Sequence, residues 1–549
     1  MSAGSHDHES HAATATGVVF HDANSNGTID PGDQGIPGVL VSNGRDVVKT
    51  DPLGRYRIDI DHDDIVFVIE PAGYDTPRDE HNIPRFYYIH KPGGSPDADF
   101  IFPGVAPTGD LPTWIDFPLT KSREAREFDV LLFGDPQAYS VEQMMFYTDE
   151  ILQPLRSSGA AFAVSLGDLV GDDLDLFEPL NAAQSVLGIP VRNVYGNHDM
   201  NFLSPNDEFA DETFERVYGP PNYAFQHGRA HFIILDNVYY NGFHGFDEDM
   251  TPWDGFARAD ERGFPNRRNY KGHLRPDQIE FILNYLAHVD KDDLIVFAAH
   301  IPFASNDPES IHRVPELAEL LRHISQFPNT LSLSGHTHVN QHFFLGSDAG
   351  YINDRVPFHH HYNVGTTSGS WYRGVRDVEG VPHGLMRDGT PRGYGVLTVK
   401  GNQYAVRFES IYAGVNKDMR IITPREIELG ELEPNMTLLA NIWGTTGHQS
   451  RVRARVISNG TPGPWRQMTH APQPDPFYAE VASAERENRP EGIRPSPNPQ
   501  ISHNMFEAQI SVPRAHGLHL FEIEATDMSG RTVTGRRAMH VTEPGSQQN

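Results

Sequence analysis

Five short segments of the sequence contain the residue types that bind transition metals in proteins. They carry Asp, His, Asn and Gln side chains, and each follows an apolar run that is typical of a β-strand. The segments are GDPQ (134–137), GDLVGD (167–172), GNHD (196–199), AAHIPF (298–303) and SGHTH (334–338). The chain has 0 Cys, so any metal must use nitrogen and oxygen ligands. Imidazole, carboxylate and amide oxygen together favour Mn, Fe, Zn or Ni.

The loops that follow the strands of an α/β sheet converge on one crevice, so residues far apart in sequence can meet there. In their order, the five segments resemble the motifs of the calcineurin-like metallophosphoesterase superfamily, which run Asp-x-His, Gly-Asp, Gly-Asn-His-Asp/Glu, an isolated His and Gly-His-x-His. The resemblance covers about residues 129–338. Each motif alone is common, whereas the ordered set of five is specific. The resemblance implies a phosphoesterase with a dinuclear metal site.

The resemblance also assigns the metal ligands residue by residue. Asp168 is the expected bridge, because two cations about 3.5 to 4 Å apart repel each other unless an anionic ligand lies between them. The other expected ligands are Asp135, Gln137 and His338 for the first ion and Asn197, His300 and His336 for the second. We expect two transition-metal ions, Mn, Fe or Zn, and a hydroxide bridging them as the nucleophile that attacks phosphorus.

The sequence departs from the family pattern at two positions. Gln137 stands where the commonest pattern has His. An amide oxygen is a harder and weaker donor than imidazole, so we expect lower affinity at the first ion and a preference for Mn, Fe or Mg-like ions. Gly171 stands where the purple acid phosphatase branch has Tyr, three positions after the Gly-Asp carboxylate. The sequence therefore disfavours that branch.

His198 is the expected general acid, because it follows the metal ligand Asn197 and is well placed to protonate the leaving alkoxide. Asp199 is expected to orient His198 and to support its protonated form. The alternative is that the His-Asp pair forms only a structural turn. Within the GNHD motif, the family resemblance favours the catalytic role.

A Gly-rich segment after the last ligand pair ends in Trp371, Tyr372 and Arg373. These three are candidate substrate-binding residues, since a guanidinium can clamp a phosphate through two hydrogen bonds. The alternative is a structural use of Arg373 in a surface loop. The nearby run 359–361 consists of three His residues, which we expect to be solvated rather than bound to metal.

The elements that must position these residues alternate between strands and helices. Strands are predicted at 129–133, 162–166, 191–195 and 231–235. Two helices are predicted from apolar stripes, Ile279, Ile282, Leu283 and Leu286 behind Pro276, and Leu317, Leu320, Leu321 and Ile324. The alternation predicts an α/β fold. The resemblance implies the metallophosphoesterase four-layer α/β/β/α sandwich.

Two small all-β sandwich domains are predicted to flank the catalytic domain. A chain of 549 residues exceeds what one hydrophobic core usually supports. We predict a disordered tail at 1–16, an N-terminal β-sandwich at 17–118, the catalytic domain at 119–415 and a C-terminal β-sandwich at 416–549. The stretch 237–275 is longer than an ordinary connection, and a surface insertion is favoured over a lid.

A second candidate metal site lies in the N-terminal domain. Oxygen-bearing residues occupy positions 1, 3, 5, 7, 9 and 12 of a loop with Gly27 at position 6, as in an EF-hand. The candidate ligands are Asp22, Asn24, Asn26, Thr28 through its backbone, Asp30 and Asp33. Because strands instead of helices flank the loop, we predict a weak structural Ca²⁺ site. An Asx-rich turn without metal is the alternative.

The charge and hydropathy of the chain limit the partners that it can bind. The formal net charge of -30 repels phosphate backbones, so we expect a small phosphate-ester substrate and no nucleic acid. No apolar run reaches the ~20 residues of a membrane span, and the sequence sets no oligomeric state. The calcium loop and the β-sandwiches indicate an exported protein, periplasmic or extracellular. Residues 1–16 lack the apolar core of a signal peptide.

The leading hypothesis is metal-dependent hydrolysis of phosphate monoesters or diesters. One alternative is a cell-surface binding module that keeps the fold with little turnover, which Gln137 and the N-terminal β-module would permit. Another is a nuclease of the same superfamily, which fits the ligands but not the charge of the chain.

Overall fold

The computed structural model describes residues 13–96, 100–242, 270–307, 310–412, 414–488 and 491–543. Most of the predicted insertion at 237–275 therefore lies outside the described residues. Within these ranges, no helix combines the length and the apolar character that a membrane span requires.

The N-terminal domain is a β-sandwich, as its alternating strands predict. Its strands are β1 (Ala13–His21), β2 (Gln34–Gly35), β3 (Leu40–Ser42), β4 (Val47–Lys49), β5 (Arg55–Ile60), β6 (Ile65–Ile69), β7 (Tyr74–Asp75), β8 (Tyr87–Ile89) and β9 (Phe117–Lys121). One sheet has the order β2-β1-β9-β7 with β5 also on β1, and the other has the order β4-β3-β6-β8. In β5, buried and exposed residues alternate, so one face packs on the core.

Two predicted boundaries of this domain are wrong by a few residues. Residues 13–16 were expected in the tail but belong to β1, where Ala13 pairs with Ile60. The boundary at 118 falls inside β9, which pairs in parallel with β1. Both shifts have one cause, because a strand that pairs with a distant strand extends beyond the residues whose own pattern marks it.

The catalytic domain contains two central sheets. Its strands are β10 (Glu127–Phe133), β11 (Phe162–Ser165), β12 (Val191–Asn193), β13 (Tyr223–His227), β14 (Ala230–Leu235), β15 (Val238–Tyr240), β16 (Tyr270–Gly272), β17 (Leu294–Ala299), β18 (Thr330–Ser334), β19 (Gln341–Leu345), β20 (His359–Asn363), β21 (Gly393–Lys400) and β22 (Gln403–Ser410). The sheet orders are β12-β11-β10-β21-β22 and β13-β14-β17-β18-β20-β19. Strands β10, β11 and β12 are mutually parallel, as are β14, β17, β18 and β20.

Helices cover the outer faces of both sheets. They are α1 (Val141–Tyr147), α2 (Gln153–Leu155), α3 (Phe177–Gln184), α4 (Glu212–Tyr218), α5 (Pro276–Leu286) and α6 (Leu317–Ile324). In β10, Leu131 and Phe133 pack with α1 and α3, whereas Val130 and Leu132 pack toward the second sheet. Helices α5 and α6 pack on the far side of that second sheet. The predicted four-layer α/β/β/α sandwich is confirmed.

Pro276 begins α5 and Gln278 caps it, because the Gln278 side chain accepts a hydrogen bond from the Arg275 backbone N–H at 2.7 Å. The buried face of α5 is slightly rotated from the predicted stripe. Phe281 and Tyr285 are buried, whereas Leu283 is 37% exposed. The aromatic rings occupy more of the core than Leu283 would, so they set the rotation.

The C-terminal domain is a second β-sandwich with its own core. Its elements are β23 (Met419–Ile422), β24 (Glu426–Glu428), β25 (Met436–Ile442), β26 (Arg451–Ser458), β27 (Thr461–Pro462), β28 (Arg466–Gln467), β29 (Thr469–His470), β30 (Gln473–Pro474), α7 (Pro476–Asn488), β31 (Ile501–Ser502), β32 (Met505–Ile510), β33 (Gly517–Thr526) and β34 (Thr532–Thr542). The sheets have the orders β23-β25-β32-β29 and β24-β34-β33-β26-β27. Helix α7 interrupts the strands and packs on the catalytic domain through Tyr478 and Leu385.

The N-terminal and catalytic domains share one continuous core. The rings of Phe67 and Phe281 lie 5.9 Å apart, and Arg192 forms an ion pair with Glu70 at 2.9 Å. Apolar packing and a buried ion pair across the boundary hold the two domains as one unit.

Lys91 forms several ion pairs at this domain boundary. Replacing it is expected to destabilise the protein. Its ammonium lies 2.7 Å from both Glu212 and Glu215 in the catalytic domain and is 2% exposed. In Lys91→Met these buried carboxylates lose their counter-charge, which costs about 3 to 5 kcal/mol. Urea unfolding measures the loss. Lys400→Met, which removes an exposed pair, costs less than about 1 kcal/mol, and equal shifts in the two variants would contradict the expectation.

Candidate active site

The structure brings the seven predicted metal ligands together at one end of the central sheets. Each lies in a loop that directly follows a parallel strand: Asp135 and Gln137 after β10, Asp168 after β11, Asn197 after β12, His300 after β17, and His336 and His338 after β18. Six of the seven are buried and His336 is half-buried. Convergence of strand ends therefore produces one cluster from five distant segments.

Five of these ligands have strained backbone conformations. Asp135, Gln137, Asp168, His336 and His338 all have φ between 38° and 74°, in the left-handed region. Non-glycine residues in this region cost about 1 to 3 kcal/mol each, and such residues concentrate at functional sites. The strain turns each side chain away from its strand direction and toward the common centre.

Two glycines of the motifs are required by close approach. A Cβ on Gly196 would lie 2.0 Å from the backbone nitrogen of Asp168, and a Cβ on Gly335 would lie 2.3 Å from Oδ2 of Asp135. The glycines of GNHD and SGHTH thus allow the ligand loops to pass against the two carboxylates.

The second ligand set (Asn197, His300 and His336) forms a group of acceptor atoms around one point. Nδ1 of His300 bonds to the Leu166 carbonyl at 2.8 Å, so that nitrogen carries the proton and Nε2 is an acceptor in the neutral ring. Nε2 lies 3.1 Å from Oδ1 of Asn197, 3.1 Å from Nδ1 of His336 and 3.2 Å from Oδ1 of Asp168. Asp168, His300 and His336 hold ligand atoms within 4.8 Å of one another. These nitrogen and oxygen atoms lie close enough together for the three side chains and Asp168 to hold a metal ion among them.

The first ligand set (Asp135, Gln137 and His338) meets Asp168 from the other side. His338 bonds through Nδ1 to the Gly369 carbonyl, and its Nε2 lies 3.5 Å from Oδ1 of Asp135. Oε1 of Gln137 is buried and has no hydrogen-bond partner among the described residues, while its Nε2 donates to the Tyr139 hydroxyl at 3.2 Å. A buried amide oxygen without a donor is costly unless a metal ion satisfies it. The residues present therefore fit a metal on this side too.

Tyr139 is expected to tune metal affinity through Gln137. In Tyr139→Phe the amide loses the acceptor that aims its oxygen at the metal position, and outer-sphere partners of this kind contribute about 10- to 100-fold in affinity. Titrating metal-free protein with Mn²⁺ should show a dissociation constant about 10-fold higher at one of the two sites. Tyr412→Phe, at a partly exposed tyrosine in the linker after β22, is the matched control. An unchanged titration of Tyr139→Phe would contradict a metal-directing role of Gln137.

Charges within the cluster are strongly coupled. Burial opposes the charged ring of His300, but the Asp168 carboxylate raises the pKa of His300 to about 9. Burial raises the pKa of Asp135 to about 7, with Asp168 as a like-charged neighbour. Protonated His300 offsets the negative charge of the Asp135 and Asp168 carboxylates. A metal ion at the same position would have the same electrostatic effect.

His198 lies at the edge of the cluster with its ring 27% exposed to the crevice. Its Nδ1 lies 2.5 Å from Oδ1 of Asp172, and its Nε2 lies 3.9 Å from Oδ2 of Asp168. Burial opposes protonation of the ring, yet the Asp172 and Asp168 carboxylates raise the pKa of His198 to about 10. The arrangement holds a protonated imidazole beside the predicted metal position.

The expectation that Asp199 orients His198 is wrong. The Asp199 carboxylate is fully buried and accepts hydrogen bonds from the backbone N–H groups of Leu169, Val170 and Gly196 at 2.9 to 3.2 Å. It therefore fixes the loop after β11 against the loop after β12. The orienting carboxylate is Asp172, because the turn directs the Asp199 side chain inward and away from the His198 ring.

Three residues of the site were not predicted as such. Asp172 belongs to the second Gly-Asp of the GDLVGD segment, a repeat that could have marked it. Tyr139 occupies the space above Gly171, where a Cβ would lie 2.4 Å from the Tyr139 ring. His312 contacts His336, with 2.8 Å between Nδ1 and Nε2, and nothing in the local sequence around His312 indicates this contact.

The cluster opens into a crevice of about 1180 Å³ that Trp371, Tyr372 and Arg373 help to line. The Trp371 ring lies 4.3 Å from the His338 ring, and the Arg373 guanidinium lies 5.1 Å from Trp371. Tyr372 is buried and packs against Arg392 at 5.6 Å. The structure thus places these three candidate substrate residues next to the predicted metal ligands.

The run of His359, His360 and His361 is buried, and the expectation that it is solvated is wrong. The three residues form most of β20 in the interior of the second sheet. Hydroxyl groups on neighbouring β18 satisfy the rings of His359 and His361, and burial lowers the pKa of both to about 3. Burial keeps the three rings neutral, and the hydroxyl groups of β18 that bond to His359 and His361 give the run a structural role.

The predicted calcium loop follows β1 and is closed by its own hydrogen bonds. Asp22 accepts from the Gly27 backbone at 2.8 Å, and Asp33 accepts from the Asp30 backbone at 2.8 Å. The Asp30 carboxylate accepts from the side chains of Asn24 and Asn26, and the Thr28 hydroxyl donates to Asn26. Among the described residues, only the Asp168 group brings three His or carboxylate ligand atoms within 4.8 Å of one another. Calcium binding by this loop stays a prediction.

The fold and the site define a hydrolase of the metallophosphoesterase class. The family models for the N-terminal and C-terminal domains of calcineurin-like phosphoesterases match residues 23–103 and 361–533. The chain belongs to the calcineurin-like metallophosphoesterase superfamily.

Two solved structures are similar to the chain. A dimetal phosphatase from Danio rerio has 13% identity and a TM-score of 0.35, covering 52% of this chain and 96% of that chain. A purple acid phosphatase from yellow lupin seeds has 13% identity and a TM-score of 0.31, covering 73% and 67%. No curated protein matches the chain.

Proposed function

We propose that the protein hydrolyses small phosphate monoesters or diesters at a dinuclear metal site, with His198 as the general acid. The observation that carries the proposal is the cluster of potential metal-ligand atoms around Nε2 of His300, which lies 3.1 to 3.2 Å from atoms of Asn197, His336 and Asp168. Two transition-metal ions, when bound, supply positive charge to the phosphate and lower the pKa of the attacking water.

Residues of the chain perform the other steps of the reaction. Asp168 would hold both ions, because a carboxylate shared by two cations offsets their mutual repulsion. His198 donates Nδ1–H to Asp172, which leaves its Nε2–H to protonate the leaving alkoxide. The Arg373 guanidinium lies on the crevice wall beyond Trp371, where it can bind an anionic group of the substrate.

Chelation and metal replacement test the proposal. Treatment with EDTA should abolish hydrolysis of aryl phosphate esters, and Mn²⁺ or Fe²⁺ should restore it, because every predicted ligand is a nitrogen or oxygen donor. Parallel assays on an aryl monoester and an aryl diester assign the substrate class. Purified protein that holds no transition metal and turns over neither ester would refute the proposal.

The calcium loop of the N-terminal domain is proposed as a weak Ca²⁺ site, consistent with a protein exported to a calcium-rich compartment. With a dissociation constant of about 1 mM, 10 mM Ca²⁺ stabilises the protein by about 1.4 kcal/mol. Thermal unfolding with Ca²⁺ or Mg²⁺ measures the effect, and Asp33→Ala should remove it. An identical Ca²⁺ shift in Asp33→Ala would leave the loop as an Asx turn without metal.

A further inference from the structure

The outer wall of the crevice belongs to the C-terminal domain. The segment after α7 is bonded to the loop that follows β20, with Gly374 N–H donating to the Arg494 carbonyl at 3.0 Å and Gln500 N–H donating to the Arg387 carbonyl at 2.9 Å. Deeper in the same contact, the buried Glu485 carboxylate accepts from the Val375 N–H at 2.9 Å. The wall is therefore a fixed part of the crevice that holds the metal ligands.

The part of the crevice next to this wall is cationic, in a protein whose net charge is -30. Arg373, Arg387 and Arg494 all line the crevice, and the last two lie on the side formed with the C-terminal domain. The acidic lining residues are Asp168 and Asp172, which face His300 and His198, and Asp307 on the rim. A fourth arginine, Arg376, is paired with Glu142 at 2.9 Å.

Arg373 and Arg494 are two like charges that line the same crevice, and the Gly374 N–H next to Arg373 donates to the Arg494 carbonyl at 3.0 Å. Arg373 forms no ion pair with any described residue, and its Nε is buried without a hydrogen-bond partner. Burial and the positive charge of Arg494 both lower the pKa of Arg373. Guanidinium groups that face one crevice repel each other, and an anion bound among them is attracted to each.

We infer that Arg373, Arg387 and Arg494 form a second anion subsite, which binds a second phosphate group of the substrate while the first lies at the metal cluster. The inference rests on the proposed function and names its substrate class as small molecules that carry two phosphate groups. A phosphate fits because its charge and its three oxygens match several guanidinium forks at once. The C-terminal domain thus selects substrate.

Matched synthetic esters test the subsite. The probes are 4-methylphenyl phosphate, 4-(phosphonomethyl)phenyl phosphate and 4-(carboxymethyl)phenyl phosphate, in which only the group remote from the scissile bond differs. The wild-type protein should prefer the phosphonomethyl ester over the methyl ester by about 10- to 100-fold in kcat/KM, as expected for charge-assisted hydrogen bonds. Arg494→Ala should bring this ratio to within about threefold of unity, and Arg494→Glu should invert it.

Control variants separate the subsite from folding. Arg494 is exposed, so its replacement leaves no cavity, and Arg387→Gln provides an independent second variant. Arg451→Ala removes an exposed arginine of the same domain that does not line the crevice and should keep the wild-type ratio. Equal kcat/KM for the phosphonomethyl and carboxymethyl esters would overturn the assignment to phosphate.

Failure of the inference is distinguishable from failure of the proposed function. Turnover of all three esters without discrimination overturns the second subsite and leaves phosphoester hydrolysis intact. If metal-loaded protein turns over none of them, calorimetric binding of p-xylylene bisphosphonate and benzylphosphonate still decides the inference. Tighter binding of the bisphosphonate that is lost in Arg494→Ala supports the subsite, and equal binding overturns it.

Discussion

Asp168→Asn should lower kcat/KM for an aryl phosphate by about 10³-fold or more, equivalent to about 4 kcal/mol. Asp168 contacts both ligand sets, because its Oδ1 lies 3.2 Å from Nε2 of His300 and its backbone carbonyl accepts a hydrogen bond from the Gln137 N–H at 2.9 Å. Asn keeps the size of the side chain but removes the negative charge between two cations. The variant should therefore lose bound metal as well as activity.

Metal analysis and kinetics on the same preparation check this result. Asp168 is 2% exposed, so urea unfolding must show that the variant is folded. Asp110→Asn, at an exposed carboxylate of the N-terminal domain, should keep wild-type metal content and rate. Two equivalents of metal and unchanged turnover in Asp168→Asn would refute the bridging role.

His198→Ala should give the second largest effect, and its size should depend on the leaving group. General acids contribute about 10²- to 10⁴-fold when the leaving alkoxide needs a proton. We expect a loss of about 10³-fold for an alkyl phosphate and a markedly smaller loss for 4-nitrophenyl phosphate, whose phenolate leaves without protonation. Rates of both esters with wild-type protein and variant give the comparison. Unchanged rates for both esters would refute His198 as the general acid.

Replacing Asp172 and Asp199 separately gives a more specific test of His198 as the general acid. Asp172 contacts Nδ1 of His198 at 2.5 Å, whereas Asp199 accepts only from backbone N–H groups in the described contacts. Asp172→Asn should reproduce the leaving-group dependence at about 10-fold, because the ring loses its orienting charge. Asp199→Asn should mainly lower stability, by about 1 to 3 kcal/mol. The opposite pattern would restore Asp199 as the orienting residue.

The sequence pattern predicted the strands of the catalytic domain well, because each apolar run specifies its own strand without help from distant residues. Apolar runs before Asp135, Asp168 and His300 are strands, and the ligands follow them at the same end of the sheets. The same local logic failed where a residue depends on a distant partner. Ala13 becomes strand through Ile60, and the polar run at 359–361 is buried because hydroxyl groups of β18 satisfy it.

The sequence by itself determined the metal-binding chemistry, since the ligand types and their order after strands specify nitrogen and oxygen donors at converging strand ends. Only the tertiary structure decided which carboxylate orients His198, because the adjacent Asp199 side chain turns inward to backbone N–H groups while the more distant Asp172 reaches the ring. It alone also placed Arg494 beside Arg373. The contact between the Arg373 and Arg494 segments joins residues more than a hundred positions apart, so the packing of two domains sets their distance and no local pattern does.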